Sequence, residues 1–140
     1  MEKYDVLIVG AGPAGVCAAK TAAKGGAKTI LLEKQSTIMA SKACGEATSQ
    51  KTFETAEVKI KPNIVMHKAD AMVFSPNMKY IHINKIGYSI NKTLFLQDIA
   101  SQAAEAGAHI KVREEVKEVI RSSNKKMIVK TSQSEYNVNV

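Results

Sequence analysis

Asp5-Val6-Leu7-Ile8-Val9 is a continuous apolar run rich in β-branched residues, the pattern of a strand buried on both faces of a parallel sheet. It ends at Gly10-Ala11-Gly12-Pro13-Ala14-Gly15. An alanine-rich helix is expected from Val16 to Lys24, closed by Gly25-Gly26 as a C-cap. Thr29-Ile30-Leu31-Leu32 reads as a second buried strand ending on Glu33, which completes one right-handed βαβ unit. Beyond Lys34 the periodicity loosens. Residues 35–45 read as a loop, 48–56 as a short helix, and 64–74 and 80–83 as strands joined by the Ser75-Pro76-Asn77 turn. A further short strand is expected at 87–90. A helix follows over 93–106, where Phe95, Ile99 and Ala103 share a face and Gly107 ends it. Residues 109–112 and 116–121 are strands, and 127–131 with 136–140 form a hairpin around Ser132-Gln133-Ser134. The pattern therefore predicts an α/β fold with a mixed sheet, read as one domain over residues 1–140.

Length and composition narrow the function classes. A chain of 140 residues is long enough for one compact domain, and 45% hydrophobic with 24% charged residues fits a globular protein. No apolar stretch approaches the ~18 residues of a membrane span. Met1 to Asp5 alternates charges and lacks the features of a signal peptide. Cys17 and Cys44 have no metal or disulfide spacing, and a reducing, cytoplasmic setting is expected. The net charge of +7 is spread over scattered lysines with few aromatics, which does not suit nucleic acid, so no nucleic-acid partner is expected. His67, His82 and His109 stand at strand-like positions without ligand spacing, so no metal site is expected and none is taken as catalytic.

The chemistry lies at the first turn. The Gly-x-Gly-x-x-Gly run at 10–15 follows a buried strand, opens a helix and is followed, 18 positions after Gly15, by an acidic residue at the end of the next strand. Gly10 permits the turn, Gly12 leaves room for a pyrophosphate, and Gly15 lets helix and strand pack closely. The helix N-terminus offers backbone N–H groups and a positive dipole end to the phosphates. Glu33 can accept from ribose hydroxyls and would repel a 2′-phosphate, which disfavours NADP. Cys17 reads as helix packing. These residues suit an ADP-containing dinucleotide and do not separate FAD from NAD.

The segment Tyr4 to Gly15, continued by Leu31-Leu32-Glu33-Lys34, resembles the FAD-dependent class with a glutathione-reductase-like Rossmann domain. Lys42-Ala43-Cys44-Gly45-Glu46-Ala47 and Gly87 to Phe95, followed by Ala103 to Ala108, are similar to the geranylgeranyl reductase family, including the archaeal ether-lipid reductases. That resemblance implies FAD as cofactor and reduction of isoprenoid C=C bonds, with electrons from an external donor. It also implies a prenylated lipid substrate, and with it peripheral contact with a membrane. By the same resemblance Gly10, Gly12, Pro13, Ala14, Gly15, Glu33, Lys34, Cys44, Gly45, Ala47 and Lys92 are cofactor-binding positions, and the backbone of Val116 meets the adenine. Lys92 stands where arginine is commoner, and Ala47 where glycine is usual. Cys44 is either a thiol packed near the flavin or an inert loop cysteine; Glu46 is a weak candidate proton donor. No catalytic residue is assigned.

The family would continue past Val140 into a strand and an Ala-Asp-Gly-like turn, so the chain is expected to be incomplete, to leave an edge strand near residues 136–140 and an uncovered apolar surface, and to self-associate through them. An aromatic-hydroxylase-like monooxygenase of the same class and a non-catalytic nucleotide-binding module remain open as alternatives.

Overall fold

The computed structural model describes residues 1–39, 44–121 and 126–140. The chain forms two compact units, one of residues 1–40 with 96–140 and one of residues 41–95.

In the first unit, β2 (Val6–Val9), α1 (Pro13–Lys24) and β3 (Thr29–Leu32) form the expected βαβ unit. β3 lies between β2 and β7 (His109–Lys111), all parallel, in register Val6 to Thr29 and Ile30 to His109. All four β3 residues are buried, as a central parallel strand requires. α1 starts earlier than expected because Pro13 stands at the first helical position, where its missing N–H costs nothing and its fixed φ suits the helix. Its end is the glycine cap read from Gly25-Gly26: Gly26 N–H reaches the Ala23 carbonyl and Ala27 N–H the Ala22 carbonyl.

The expected mixed sheet is a second, four-stranded one. It runs β1 (Glu2–Tyr4), β10 (Glu135–Val138), β9 (Met127–Thr131), β8 (Val116–Arg121), with β1 and β10 parallel and the rest antiparallel. β1 escaped the sequence pattern because Glu2-Lys3-Tyr4 carries no apolar run. It is a strand because it pairs with β10 and buries Tyr4. Ile30 and Leu32 pack with Tyr4, Val129, Tyr136 and Val138 into one core, joined by Leu7, Val116 and Met127. By strand alternation Ile8 and Leu31 face the other way, toward α1. Val140 continues this order, its N–H on the Asp5 carbonyl and its carbonyl accepting from Leu7 N–H, so residues 136–140 are not the expected edge strand: β1 and β9 cover β10 on its two sides.

The second unit contains α2 (Gln50–Ala56) and an antiparallel sheet ordered β4 (Ala47–Thr48), β6 (Tyr80–Ile90), β5 (Val65–Phe74). The two strands expected at 80–83 and 87–90 are one strand, paired along β5 with irregularities at Met66 and Asp70. Phe53 packs edge-to-face on Tyr88 and on Phe95, centroids 5.7 and 5.2 Å apart. The outer part of the β5–β6 hairpin is apolar and exposed, notably Met72, Phe74, Met78, Tyr80 and Ile81. α3 (Lys92–Glu105) begins in this unit, where Asn91 Oδ1 accepts from Leu94 N–H as an N-cap. Among the described residues no helix is long and apolar enough to cross a membrane.

Candidate nucleotide-binding site

The turn after β2 is built by backbone geometry. Gly10 has φ +90, a region closed to most residues, and its N–H donates to the Leu32 carbonyl at 2.7 Å. Gly12 is the N-cap of α1, with φ −72 and ψ 179, and its carbonyl accepts from Val16 N–H at 3.0 Å. Gly15 is the close-packing glycine. A Cβ there would fall inside the van der Waals contact of the Gly10 carbonyl oxygen and lie 3.5 Å from the Ile8 side chain. Gly12 is the opposite case, because a Cβ built on it meets nothing within 4 Å. α1 has no side-chain cap and no acidic residue in its first turn. Its first-turn N–H groups therefore have no side-chain cap, and the space beside Gly12 is open.

Glu33 is tied to this turn. Its Oε2 accepts from Ala11 N–H at 2.7 Å and its Oε1 from Gln35 N–H at 2.8 Å. Two backbone donors fix the rotamer of this half-buried carboxylate, and each oxygen keeps a lone pair for a ribose hydroxyl. Ala11 was not among the sequence candidates, and its role is a backbone one that no side-chain pattern signals.

The turn after β7 is hydrogen-bonded to the backbone of Glu33 and Gln35. Glu33 N–H donates to the Lys111 carbonyl, Glu114 N–H to the Glu33 carbonyl at 3.0 Å, and Arg113 N–H to the Gln35 carbonyl at 2.8 Å. Val116 opens β8 opposite Thr131, and a bulge follows it at Lys117. Bulges of this kind re-aim the backbone near binding sites. Below the turn lies a polar chain. Lys111 Nζ donates to Tyr136 OH at 2.9 Å, Tyr4 OH donates to Glu2 at 2.8 Å, and Tyr4 OH meets His109 Nδ1 at 2.8 Å. Burial, reinforced by Glu2, pushes the Tyr4 phenol up to about 12, and the hydrogen bond to Tyr136 leads the causes that raise Lys111. Lys111 thus stays charged and Tyr4 neutral at ordinary pH, which suits a permanent structural tie rather than proton transfer.

Within the first unit, then, Gly10, Gly12, Pro13, Ala14, Gly15 and Glu33 come together, with Lys34 exposed beside Glu33 and Val116 beyond the β7 turn. Cys44, Gly45, Ala47 and Lys92 lie in the second unit. The Ile90 N–H bond to the Glu46 carbonyl and the pairing of Ala47 with Ser89 bring the Cys44–Ala47 segment alongside the residues leading into Lys92. Cys44 is exposed, and its Sγ accepts from Glu46 N–H at 3.4 Å. Lys42 and Ala43 of the same motif fall outside the described residues. Cys17 is half-buried on α1.

Comparison with known proteins accords with this geometry. The family profile described as FAD dependent oxidoreductase matches residues 5–139. The digeranylgeranylglycerophospholipid reductase of Thermoplasma acidophilum is 35% identical over 133 residues, covering 89% of this chain and 34% of the relative. That of Methanoculleus marisnigri is 38% identical over 121 residues, covering 80% of this chain and 30% of the relative. A crystal structure of a geranylgeranyl bacteriochlorophyll reductase-like protein from Thermoplasma acidophilum superposes with a TM-score of 0.85 at 32% identity, over 99% of this chain and 37% of that one. The chain thus spans about a third of the length of these relatives. The match over nearly its whole length places this chain in the FAD-dependent oxidoreductase family, whose cofactor is FAD.

Proposed function

We propose that this chain holds the ADP half of FAD in an oxidoreductase that reduces the C=C bonds of isoprenoid, geranylgeranyl-type chains of lipids. The observation that carries the nucleotide part is the pairing of open space before Gly12 with the Glu33 carboxylate locked to Ala11 N–H. The substrate part rests on the similarity to the archaeal lipid reductases.

Gly10 to Gly15 and the first-turn amides of α1 would hold the pyrophosphate, and Glu33 the adenosine ribose. Lys34 and the backbone of Val116 would flank the adenine. Cys44, Gly45, Ala47 and Lys92 are proposed as cofactor-binding positions on the resemblance alone. When bound, FAD supplies the two-electron reducing chemistry, which an external donor replenishes. The chain's own residues bind and orient; none is assigned a proton-transfer role. A lipid substrate also brings the protein to a membrane surface. The test is to incubate the full-length polypeptide with reduced FAD and a geranylgeranyl phospholipid. A mass gain of one H2 per double bond is expected; an unchanged lipid with the flavin retained would refute the substrate assignment.

Glu33→Arg is expected to lower ADP affinity and to shift preference toward 2′-phospho-ADP by about tenfold. Because Glu33 also accepts from Ala11 and Gln35, the substitution costs stability as well, so the preference ratio is the readout. Equal ratios in mutant and parent would mean that Glu33 does not face the ribose. The exposed apolar hairpin of Met72, Phe74, Met78 and Tyr80 supports concentration-dependent self-association. Sedimentation velocity should show the mean sedimentation coefficient rising with concentration, and a constant monomer would contradict this.

A further inference from the structure

Glu114 stands out among the acidic residues because it is only 4% exposed. Its Oε1 accepts from Tyr136 OH at 2.6 Å and from Thr131 Oγ1 at 2.8 Å. Its own N–H holds the Glu33 carbonyl, and the neighbouring Arg113 N–H holds that of Gln35. Arg113 has φ +57, a left-handed conformation that strains a residue with a Cβ. The turn is pinned from the other side as well: Gln133 Nε2 donates to the Arg113 carbonyl at 2.7 Å and Ser132 N–H to the Glu115 carbonyl at 2.9 Å. Strained backbone persists where its surroundings over-determine it, and here they do so between the ribose carboxylate and the strand opened by Val116.

Stability alone does not call for a carboxylate at this place. Burying one costs more than an apolar residue of similar volume, and replacing buried charged groups by apolar ones is often neutral or stabilising. Position is a better explanation. We propose that Glu114, clamped by Tyr136 and Thr131, is a positioning residue for the adenosine end of the nucleotide site, setting the 112–115 turn against Glu33 and thereby aligning both the Glu33 carboxylate and the Val116 backbone. This rests on the nucleotide reading above and adds to it a residue that acts through Glu33 without touching the ligand.

Glu114→Leu separates position from fold. It takes away the acceptor of the buried Tyr136 O–H, since Lys111 Nζ is itself a donor to that oxygen, while Thr131 Oγ1 keeps the Ser134 carbonyl; the comparison of ADP with pyrophosphate, which a general loss of stability would not split, therefore carries the distinction. The experiment titrates the parent, Glu114→Leu and Glu114→Gln with ADP and with inorganic pyrophosphate, alongside thermal melts. Glu114→Leu should lose about tenfold in ADP affinity with pyrophosphate binding unchanged, and Glu114→Gln, which keeps an acceptor oxygen, should stay within about threefold of the parent. The loss should shrink when Glu33 is already Gln, since residues acting through one another are non-additive. Should Glu114→Leu fail to fold, Thr131→Val removes the Thr131 clamp bond, together with the hydroxyl's bonds to Gln133 N–H and Ser134 N–H, and should show the same ADP-specific loss to a smaller degree. Parental ADP affinity in the folded variant, or equal losses of ADP and pyrophosphate, would overturn the positioning role alone. A parent that does not bind ADP would instead bring down the nucleotide reading itself.

Discussion

Gly15→Ala is expected to be the most damaging single-methyl change in the first unit. The added Cβ would be driven into the Gly10 carbonyl oxygen, a backbone atom that cannot swing aside as a side chain could. Relief requires moving α1 away from β2 or deforming the Gly10 turn, whose N–H is committed to the Leu32 carbonyl and whose φ is already positive. Either movement loosens the packing of Val16, Ala19 and Ala23 on β2 and β3. Overpacking against an unyielding partner costs about 3 kcal/mol or more, enough to lower Tm by roughly 10 °C in a domain of this size. Differential scanning fluorimetry on parent and mutant checks this. A mutant melting within a degree or two of the parent would mean that α1 and β2 are not packed as closely as described.

Gly12→Val is expected to do the reverse, leaving the fold and removing the ligand. At φ −72 and ψ 179 the backbone at Gly12 is open to any L-residue, and its Cβ meets no protein atom. The one folding cost is that valine caps a helix less well than glycine, about 1 kcal/mol. The empty space is where the phosphate oxygens would meet the α1 amides. A branched side chain there displaces the anion and shields those N–H groups, so ADP affinity should fall by at least about a hundredfold. Circular dichroism and ADP titration on one preparation separate the two effects. A folded mutant that binds ADP like the parent would remove the steric basis of the cradle.

The contrast between these glycines shows what the sequence could carry. The spacing of Gly10, Gly12 and Gly15 between an apolar run and an alanine-rich helix was legible because each job depends on a missing side chain at a fixed offset. β3 was legible because a central parallel strand is apolar at nearly every position. The start of α1 was misread, since Pro13-Ala14-Gly15 looks like turn composition until proline is placed at the first helical position. β1 was invisible because Glu2-Lys3-Tyr4 becomes a strand only through its pairing with β10, more than 130 residues away. The distribution of the described strands among separate sheets escaped for the same reason: alternation records which faces are buried, not which edges pair. Glu114 was missed because Glu114-Glu115 reads as a solvated charged turn, and its partners Thr131 and Tyr136 lie 17 and 22 residues further on. The second-unit positions Cys44, Gly45, Ala47 and Lys92 came from resemblance alone, since residues in a loop, a two-residue strand and the first position of a helix, without periodicity or ligand spacing, carry no physical signal of their own.

Equilibrium dialysis of the parent chain against ADP, with Gly12→Val as control, tests the central claim most directly. The predicted result is saturable binding of one ADP per chain, with a Kd of about 10 μM or weaker because the contacts to one half of the cofactor must offset the full loss of translational freedom. The control should show no binding in the same range. An absence of parental binding at millimolar ADP, or binding undiminished in Gly12→Val, would contradict the assignment of this turn as a nucleotide cradle.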